Sequence, residues 1–494
     1  MGRLAPAGPP HAPPRDGGGQ PMKWLNRPTS TTGTALFLLD VMFVIAAWPV
    51  VLWISRPDFL TLFVPPDDIR GYLYPIANLL VLYAMGLYRR DALIETGRSL
   101  SRVPLVVGMG CSASAILSTI PAFVSSAIVP LGGRDQALVF ALASVCFTLS
   151  AFAARVLVSF MLRHRMLRRH LLVVGAGARA WDLRHMLMRE GSSLHYDIAF
   201  LHEPALGEVD PRLAEDPTVR ILEGDSIDVL AAARLTEADQ IVVAPDDRRG
   251  MDLQRLLDCR KAGFPIVQYL SFVEKEIRRI DLKRMELGWL VFSDGFTFSA
   301  LDRSLKRLFD LVMSLLVLLL TAPLLVVAMA AIRMEGQGPI LYRQERVTRD
   351  GRIFWIMKLR TMRVDAEKSG AVWAARQDNR ITKVGLFLRR SRIDELPQLV
   401  NILKGEMSFV GPRPERPIFV KELAAQIPLY NERHLVKAGL TGWAQINYPY
   451  GASVDDARSK LSYDLYYVKN FSILFDIVIL VQTLRVVLWP SGVR

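Results

Sequence analysis

The sequence is poor in cysteine and histidine, with three of the former and seven of the latter in 494 residues. Cys111, Cys146 and Cys259 show no metal-ligand spacing, which argues against both a disulfide framework and a zinc site. Residues 300–494 contain no cysteine and one histidine, His434. Cysteine nucleophiles, histidine metal clusters and most Ser-His arrangements are therefore excluded there, and carboxylates must carry any covalent or metal chemistry.

Charge and hydropathy are also unbalanced. Hydrophobic residues make up 51% of the chain, the mean hydropathy is +0.24, and the formal net charge is +13. A basic and apolar chain is typical of a protein that meets anionic lipid headgroups or phosphate substrates. Nucleic acid would also explain the charge, but it does not account for the long apolar segments. We therefore expect membrane lipids as partners and no nucleic acid.

Apolar segments organise the first third of the chain. Residues 1–30 begin with a stretch rich in Pro, Gly and Ala, and we interpret them as a disordered N-terminal leader. Four apolar segments follow, at about 34–54, 71–87, 103–127 and 136–162. A helix needs ~20 apolar residues to span a bilayer. They predict a transmembrane four-helix region over residues 31–165. Arginines concentrate in the loop 88–102 and after the fourth segment, so the positive-inside bias predicts both ends of the bundle in the cytoplasm.

Residues 170–295 alternate apolar stretches with helical ones. LLVVGAGARA (171–180) is typical of a strand, a glycine turn and a helix start, and IAFL, QIVVAP and PIVQYL have the composition of further strands. The alternation predicts a Rossmann-like α/β domain. Gly175, Gly177 and Ala180 fit the relaxed G-x-G-x-x-A pattern, which can place a pyrophosphate at a helix N-terminus. Nucleotide binding and a structural or regulatory role both stay open, because no clear acidic residue ends the next strand.

The segment 305–333 is long enough to span a bilayer, but two features favour a re-entrant membrane helix. Pro323 lies near its centre, where it removes a helical hydrogen bond and kinks or breaks the helix. Both flanks are basic, whereas a spanning helix should show a charge asymmetry. We expect a helix that enters one leaflet, bends at Pro323 and returns; the alternative is a kinked fifth span.

The stretch 389–415, RRSRIDELPQLVNILKGEMSFVGPRPE, concentrates charges of both signs. Asp394 and Glu395 lie just before Pro397, which suits the first turn of a helix, and Gly405 suits its end. Arginines surround the pair at positions 389, 390, 392 and 413. Carboxylates among arginines indicate chemistry on a phosphate ester. Two adjacent carboxylates repel unless a cation lies between them, which favours Mg²⁺ that also bridges a substrate diphosphate.

Three segments, in order, resemble the bacterial sugar transferase family, the monotopic phosphoglycosyl transferases or polyprenyl-phosphate hexose-1-phosphate transferases. They are YRQERVTRDGRIFWIMKLRTMRVDAE (342–367), RITKVGLFLRRSRIDELPQLVNILKGEMSFVGPRPE (380–415) and LVKAGLTGWAQIN (435–447). The resemblance implies an α/β catalytic domain over residues 300–494 that includes the re-entrant helix 305–333. With the spans and the α/β domain upstream, the chain is similar to the large form of the family, which initiates exopolysaccharide, capsule or O-antigen synthesis.

The resemblance also implies roles for single residues. Asp394 is implied as the nucleophile that attacks the β-phosphorus of a UDP-sugar, and Glu395 completes the pair and shares the Mg²⁺ site with it. Phosphate-binding roles are implied for Arg389, Arg413, Lys358 and Arg360, and roles as further family carboxylates for Asp464 and Asp476. Pro323 is implied as the break of the re-entrant helix, although Ala322 before it stands where the family often has serine.

The expected reaction is transfer of a hexose-1-phosphate to undecaprenyl phosphate with release of UMP, of the glucose/galactose phosphotransferase type. The expected location is the bacterial inner (cytoplasmic) membrane, with a multi-pass anchor and the catalytic domain on the cytoplasmic face. The residues do not separate glucose from galactose or an N-acetylated sugar, and they are compatible with a homodimer without requiring one.

Two other functions were weighed. A membrane-anchored nucleotide-sugar oxidoreductase or epimerase would use the α/β domain and a Tyr-x-x-x-Lys pair, but Tyr196 and Tyr269 each lack a lysine four residues later. A non-catalytic assembly protein would leave the carboxylate pair and its arginines without a purpose. The transferase is therefore the function that these residues favour.

Overall fold

Three groups of elements follow one another along the chain in the computed structural model: a helical bundle, a parallel sheet with helices, and a mixed α/β unit. The structure describes residues 31–55, 73–88, 96–118, 133–164, 166, 168–189, 196–224, 227–292, 295–296, 299–363, 380–448, 451 and 453–488. The predicted leader 1–30 lies outside these residues, as do residues 89–95 of the arginine-rich loop that predicts the orientation of the bundle.

Four helices form the N-terminal bundle: α1 (Thr31–Ser55), α2 (Leu73–Ala84), α3 (Thr96–Ser118) and α4 (Gly133–Arg163). Trp48 of α1 stacks on Tyr74 of α2, with their ring centroids 5.6 Å apart. Arg155 Nη1 of α4 lies 3.1 Å from Asp40 Oδ2 of α1, and both side chains are buried. Charged groups in apolar segments pair with one another because solvent cannot compensate them. This ion pair therefore joins α1 to α4.

Four of the described helices are long and apolar enough to cross a membrane, and three of them belong to the bundle. Their apolar stretches, Gly33–Ile54, Ser99–Leu117 and Ala137–Leu162, match three of the predicted segments. The predicted segment 71–87 differs, because α2 has 12 residues and ends at Ala84. At ~1.5 Å per residue it covers about 18 Å, which is less than the ~30 Å of a hydrocarbon layer.

The second unit is a five-stranded parallel sheet, as the alternation over 170–295 predicts. Its strands are β1 (Arg169–Val174), β2 (Tyr196–His202), β3 (Arg220–Glu223), β4 (Gln240–Val243) and β5 (Ile266–Gln268). Their spatial order is β3-β2-β1-β4-β5, the order of a doubly wound sheet, and Leu172 lies opposite Ala199 on one side and Ile241 on the other. Leu171 and Leu172 belong to separate apolar cores because successive side chains alternate between the two faces.

Helices and one 3₁₀ turn connect these strands. They are α5 (Ala178–Arg189), the turn Pro204–Leu206, α6 (Pro211–Ala214), α7 (Val229–Leu235) and α8 (Leu253–Lys261). Two further helices, α9 (Tyr269–Ile277) and α10 (Leu287–Phe292), follow β5. Gly175 begins the turn from β1 to α5 with φ +106°, and a Cβ there would lie 2.8 Å from the carbonyl oxygen of Ala244. Both the left-handed backbone and the close approach require glycine at this position.

The third unit is built from helices around two small sheets. Its helices are α11 (Ala300–Glu335), α12 (Lys383–Arg390), α13 (Gln398–Lys404), α14 (Pro417–Gln426), α15 (Trp443–Asn447), α16 (Val454–Lys469) and α17 (Ile473–Leu488). An antiparallel hairpin joins β6 (Leu341–Val347) to β7 (Ile353–Leu359), and β8 (Ser408–Val410) pairs in parallel with β9 (Gly439–Thr441). Leu399 and Ile402 of α13 pack against Phe354 and Ile356 of β7, which forms the core beneath the candidate site.

Helix α11 lies against the third unit near both of its ends. Met313 in its N-terminal half packs on the core around Leu399, and Ala328 and Ile332 in its C-terminal half pack with Leu388. Between these contacts, apolar side chains such as Leu320 face away from the protein. The 36-residue helix is about 54 Å long. Because both of its halves pack on the third unit, its two ends belong to one folded unit.

The predicted break at Pro323 is not observed, because α11 continues through this residue as one helix. Proline removes one helical hydrogen bond, but a long apolar helix can tolerate it where neighbouring groups compensate. The course of α11 through a single leaflet stays a prediction.

The sheet unit contacts helices of the third unit that include α15 and α16. Lys469 Nζ of α16 lies 2.6 Å from Glu274 Oε2 of α9. The Trp443 indole donates to the carbonyl oxygen of Arg278 at 2.9 Å. These contacts fix the sheet unit beside the helix that carries Asp464.

Candidate active site

The carboxylate pair lies in a 3₁₀ turn, Ile393–Glu395, between α12 and α13. Arg392 precedes the turn with a left-handed backbone, φ +59°, which is unusual for a residue with a side chain and is concentrated at functional sites. Helix α13 begins directly after Pro397, and Gly405 ends it with φ +86°. The helix predicted between this proline and this glycine is thus confirmed, and the pair lies one turn before its start.

Asp394 is buried although none of the described residues forms an ion pair with it. Asp394 is 7% exposed, and its Oδ1 atom has no hydrogen-bond partner in the described parts of the chain. Burial raises the pKa of this carboxyl group, and the negative charge of Glu395 raises it further. Lys358, Arg389 and Arg392 act in the opposite direction without cancelling the shift. Asp394 Oδ1 therefore keeps a lone pair that no described group engages, on a buried carboxyl group whose pKa is raised.

Glu395 lies among cations. Its Oε1 atom is 3.2 Å from Lys358 Nζ, 3.4 Å from Arg413 Nη2 and 3.5 Å from Arg392 Nη1. Burial alone would raise the pKa of Glu395, but these charges, that of Lys358 most strongly, hold it well below its usual range. Glu395 is thus a fixed anion that gathers three cations beside Asp394.

The cations that were predicted to bind phosphate come from different elements. Lys358 stands on β7, and Arg389 lies in the last turn of α12, where its Nε donates to the Thr361 hydroxyl at 2.9 Å. Arg413 lies between two prolines, and its loop is held because Gly411 N donates to the carbonyl oxygen of Thr441 at 2.9 Å. The structure therefore brings Lys358, Arg389 and Arg413 to the pair, as their assignment to phosphate requires.

Arg360 is not brought to the pair. Its Nη1 donates to the carbonyl oxygen of Gln337 at 3.0 Å, and its Nη2 donates to those of Gly336 and Ile332 at 2.9 and 3.2 Å. These carbonyls follow the C-terminal end of α11, where a cation complements the helix dipole. The contacts assign Arg360 to capping this helix rather than to substrate phosphate.

Asp464 and Asp476 also lie outside the pair. Asp464 Oδ2 accepts from Arg433 Nη2 at 2.7 Å, and Asp476 Oδ2 accepts from Lys306 Nζ at 2.6 Å. Both carboxylates and both cations are buried. Sequence reasoning missed Arg433 and Lys306, because their partners are 31 and 170 residues away and no local pattern announces them.

The lone histidine of this unit, His434, is buried beside a charged residue. Burial lowers the pKa of His434 to about 4, and the charge of the adjacent Arg433 acts in the same direction. The ring is therefore neutral at neutral pH.

A metal ion was predicted between Asp394 and Glu395. Among the described residues, no group of three or more His, Cys, Asp or Glu side chains could hold one. The repulsion between the two carboxylates, which favoured a metal ion, is already offset by the positive charges of Lys358, Arg392 and Arg413. Asp394 Oδ1 nevertheless offers an oxygen, and Mg²⁺ is commonly held by one or two carboxylates plus substrate phosphates. The residues thus fit a cation that arrives with a diphosphate.

The glycine turn of the sheet unit contains an internal anion. Asp246 Oδ2 accepts from Ala178 N at 2.6 Å, and its Oδ1 accepts from Arg179 N at 3.0 Å. These amides begin α5, where a pyrophosphate would bind in a dinucleotide-binding turn. The carboxylate therefore occupies the position that a bound phosphate would need.

Comparison with known proteins finds similarity in the third unit. A family model described as bacterial sugar transferase matches residues 301–490. The chain is 50% identical over 130 residues to a putative undecaprenyl-phosphate N-acetylgalactosaminyl 1-phosphate transferase of Bacillus subtilis, covering 26% of this chain and 73% of that protein.

Two larger relatives extend the comparison. A UDP-N-acetylgalactosamine-undecaprenyl-phosphate N-acetylgalactosaminephosphotransferase of Aeromonas hydrophila is 37% identical over 252 residues, which are 50% of this chain and 58% of that protein. A UDP-glucose:undecaprenyl-phosphate glucose-1-phosphate transferase of Escherichia coli is 40% identical over 187 residues, which are 37% of this chain and 40% of that protein. The matched segment thus spans about half the length of these two relatives.

Proposed function

Because this chain belongs to the bacterial sugar transferase family, we propose that it transfers a sugar-1-phosphate from a UDP-sugar to undecaprenyl phosphate and releases UMP. The observation that carries the proposal is Asp394, a buried carboxylate whose Oδ1 has no hydrogen-bond partner in the described residues. A carboxylate in this state can attack phosphorus and form an acyl phosphate. The cations around Glu395 supply the positive charge that a diphosphate needs.

The proposed reaction has two displacements at one phosphorus atom. An ionised oxygen of Asp394 attacks the β-phosphorus of the UDP-sugar, the bond from this phosphorus to the bridging oxygen breaks, and UMP leaves with the electron pair. A phosphate oxygen of undecaprenyl phosphate then attacks the same phosphorus, and the bond to Asp394 breaks. The product is an undecaprenyl diphosphate-sugar, and the Asp394 carboxylate is regenerated without a proton transfer.

The cations have separate tasks in this scheme. Lys358 and Arg413 both contact Glu395 and would balance the charge of the diphosphate as UMP departs. Arg389 lies near Asp394 and would orient the phosphate under attack. Donors that are already in place stabilise developing charge at little reorganisation cost, and this is commonly the largest contribution to catalysis. Glu395 keeps these donors together through its own fixed charge.

Mg²⁺ is the proposed cofactor, entering with the substrate. Asp394 would hold it together with phosphate oxygens of the UDP-sugar, and Glu395 would support the site from beside it. When bound, Mg²⁺ neutralises charge on the diphosphate and favours departure of UMP. The chain's own contribution is a dry carboxylate beside three fixed cations.

The contacts of α11 support a catalytic domain on one membrane face. Its two ends pack on the same folded unit, whereas a spanning path would place them on opposite sides of a bilayer. The apolar surface between these ends, with Leu320 73% exposed, suits insertion among lipids. We therefore propose a re-entrant course from the cytoplasmic face of the inner membrane, where UDP-sugars and the phosphate of undecaprenyl phosphate meet.

The sheet unit is proposed to be a Rossmann-like fold without a dinucleotide. Asp246 caps the amides that would bind a pyrophosphate, which disfavours the oxidoreductase alternative. The contact between Glu274 and Lys469 supports a structural or regulatory role toward the catalytic domain, and a homodimer through this unit is compatible with it.

The test is UMP release by the purified protein in lipid nanodiscs with Mg²⁺, undecaprenyl phosphate and a panel of UDP-sugars. The panel contains glucose, galactose and their N-acetylated forms, since the glucose/galactose prediction stands beside relatives named for glucose and N-acetylgalactosamine. We expect repeated turnover that requires the lipid and one sugar, since without the lipid each protein can release only one UMP. Asp455→Asn, an exposed carboxylate on α16, serves as the matched control. No release with any sugar, from protein that is folded in the nanodisc, would contradict the proposal.

A further inference from the structure

Arg433 connects three segments of the catalytic domain from a buried position. The residue is 5% exposed and lies in the 3₁₀ turn Tyr430–Leu435. Its Nη2 donates to Asp464 Oδ2 of α16 at 2.7 Å and to the carbonyl oxygen of Arg413 at 3.0 Å, and its Nη1 donates to the Tyr430 hydroxyl at 2.9 Å. The guanidinium therefore joins the helix, the turn and the loop of the phosphate-binding arginine.

The loop of Arg413 is held from several sides, and Arg433 supplies the contact at residue 413 itself. Gly411 N donates to Thr441 on one side of it, and Arg346 Nη1 donates to the carbonyl oxygen of Pro414 at 3.0 Å on the other. From this loop the Arg413 side chain reaches Glu395 at 3.4 Å. A rotation of the peptide at residue 413 would change where that guanidinium points.

The energetics of the Arg433–Asp464 pair favour a positioning role over a stabilising one. Both partners are almost fully buried, so each loses its hydration, and the attraction between them offsets much of that loss. Apolar residues of similar size are often at least as stabilising as such a pair. What apolar residues would not provide is a donor to the carbonyl oxygen of Arg413.

We propose that Arg433 is a positioning residue that sets Arg413 against the substrate diphosphate, and that Asp464 acts only through Arg433. The inference rests on the proposed function and deepens it, because it gives Asp464 a task that does not include contact with substrate or metal. Asp464 neutralises Arg433 and orients its guanidinium, and Arg433 then fixes the peptide of Arg413.

The test is a double-mutant cycle of Arg433→Lys and Arg413→Met, read as kcat/KM for UMP release. Lysine keeps the charge that Asp464 needs but loses the fork that serves Asp464 and Arg413 together. Arg433→Lys alone should lower kcat/KM ~10- to 100-fold, the size expected for a misplaced group. In the Arg413→Met background it should have almost no further effect, because the side chain that it positions is gone.

Controls separate positioning from folding. Arg458→Lys, an exposed arginine on α16 that pairs with Asp455, should leave kcat/KM and the melting temperature unchanged. Arg433→Met combined with Asp464→Leu removes both charges and should melt near the wild-type temperature while its kcat/KM stays as low as that of Arg433→Lys.

The outcomes are distinguishable. The positioning role would be overturned if the two effects multiplied in the double variant, or if the Arg433→Lys protein kept the wild-type kcat/KM. In either case, turnover by the wild-type protein would leave the proposed function intact. Wild-type protein that releases no UMP would overturn both.

Discussion

The carboxyl groups of Asp394 and Glu395 are adjacent in one turn, yet their pKa values are shifted in opposite directions. Burial and the charge of Glu395 raise the pKa of Asp394, whereas Lys358 and two arginines hold that of Glu395 well below its usual range. Environments that separate the pKa values of two neighbouring acids assign them different tasks. Glu395 is the permanent anion, and Asp394 is the group that the proposed reaction needs in its ionised form.

The first prediction concerns pH. A raised pKa means that ionised Asp394 is fully present above that pKa and is lost as pH falls through it, so first-turnover UMP release should decline on the acid side. Glu395→Gln removes the anionic neighbour, and the acidic limb should move to lower pH. Rapid-quench rates across the pH range measure the limb. An acidic limb that stays in place or moves to higher pH in this variant would argue against the coupling.

The second prediction separates two arginines that look equivalent in the sequence. Arg360→Ala should lower the free energy of unfolding by about 1–3 kcal/mol, because three carbonyls at the end of α11 lose their donor. Its KM for the UDP-sugar should stay near that of the wild type. Arg413→Ala should show the reverse, with a melting temperature close to wild type and a large loss of kcat/KM. If Arg360→Ala had a strongly raised KM and normal stability, Arg360 would belong to the binding site for the substrate diphosphate.

The contrast between Lys358 and Arg360 also shows where sequence reasoning ends. Residues two apart in a strand share a face, so the MKLRTM segment suggests that both cations point to one site. Strand β7 ends at Leu359, however, and Arg360 follows the backbone toward α11 instead. One residue beyond a strand end, the alternation no longer predicts direction, and strand ends are the least certain part of a sequence-based assignment.

The third prediction concerns Asp476, which binds Lys306 and accepts from the Tyr467 hydroxyl at 2.7 Å. Asp476→Asn leaves Lys306 with Asp310 at 3.3 Å as its remaining carboxylate and should cost about 3 kcal/mol of stability. Replacing both partners, Lys306→Met with Asp476→Leu, should recover much of this loss. Chemical unfolding in mixed micelles measures both variants. A double variant that is as unstable as Asp476→Asn would show that the pair does more than link α11 to α17.

The fourth prediction addresses the sheet unit. Asp246→Ala should lower the free energy of unfolding by about 1 kcal/mol, because the first amides of α5 lose their cap, and should leave the rate of UMP release unchanged. The wild-type protein should show no change in melting temperature with NADH or NADPH. A clear increase with either dinucleotide would revive the nucleotide-binding interpretation of the glycine turn.

Local patterns predicted much of the fold, whereas the long-range residue pairs could not be predicted from the sequence. Pro397 and Gly405 gave the limits of α13, and the alternation of apolar stretches gave the parallel sheet, because both depend on neighbouring residues. The contacts of Arg433 and Lys306 depend on how distant helices pack, which no spacing in the sequence encodes. At Pro323 the local signal for a complete break is not followed, because α11 continues through this residue, whereas a bend there stays a prediction.

The measurement that tests the central claim most directly is the intact mass of the protein after brief exposure to the UDP-sugar that supports turnover, with Mg²⁺ and without undecaprenyl phosphate. We expect a mass increase of one sugar phosphate on the peptide that contains Asp394, with one UMP released for each adduct, and loss of the adduct when undecaprenyl phosphate is added. Asp394→Asn should fold normally, form no adduct and release no UMP. An Asp394→Asn protein that turned over at a rate near wild type, or a wild-type protein that released UMP only when the lipid was present and never carried the adduct, would contradict the covalent mechanism.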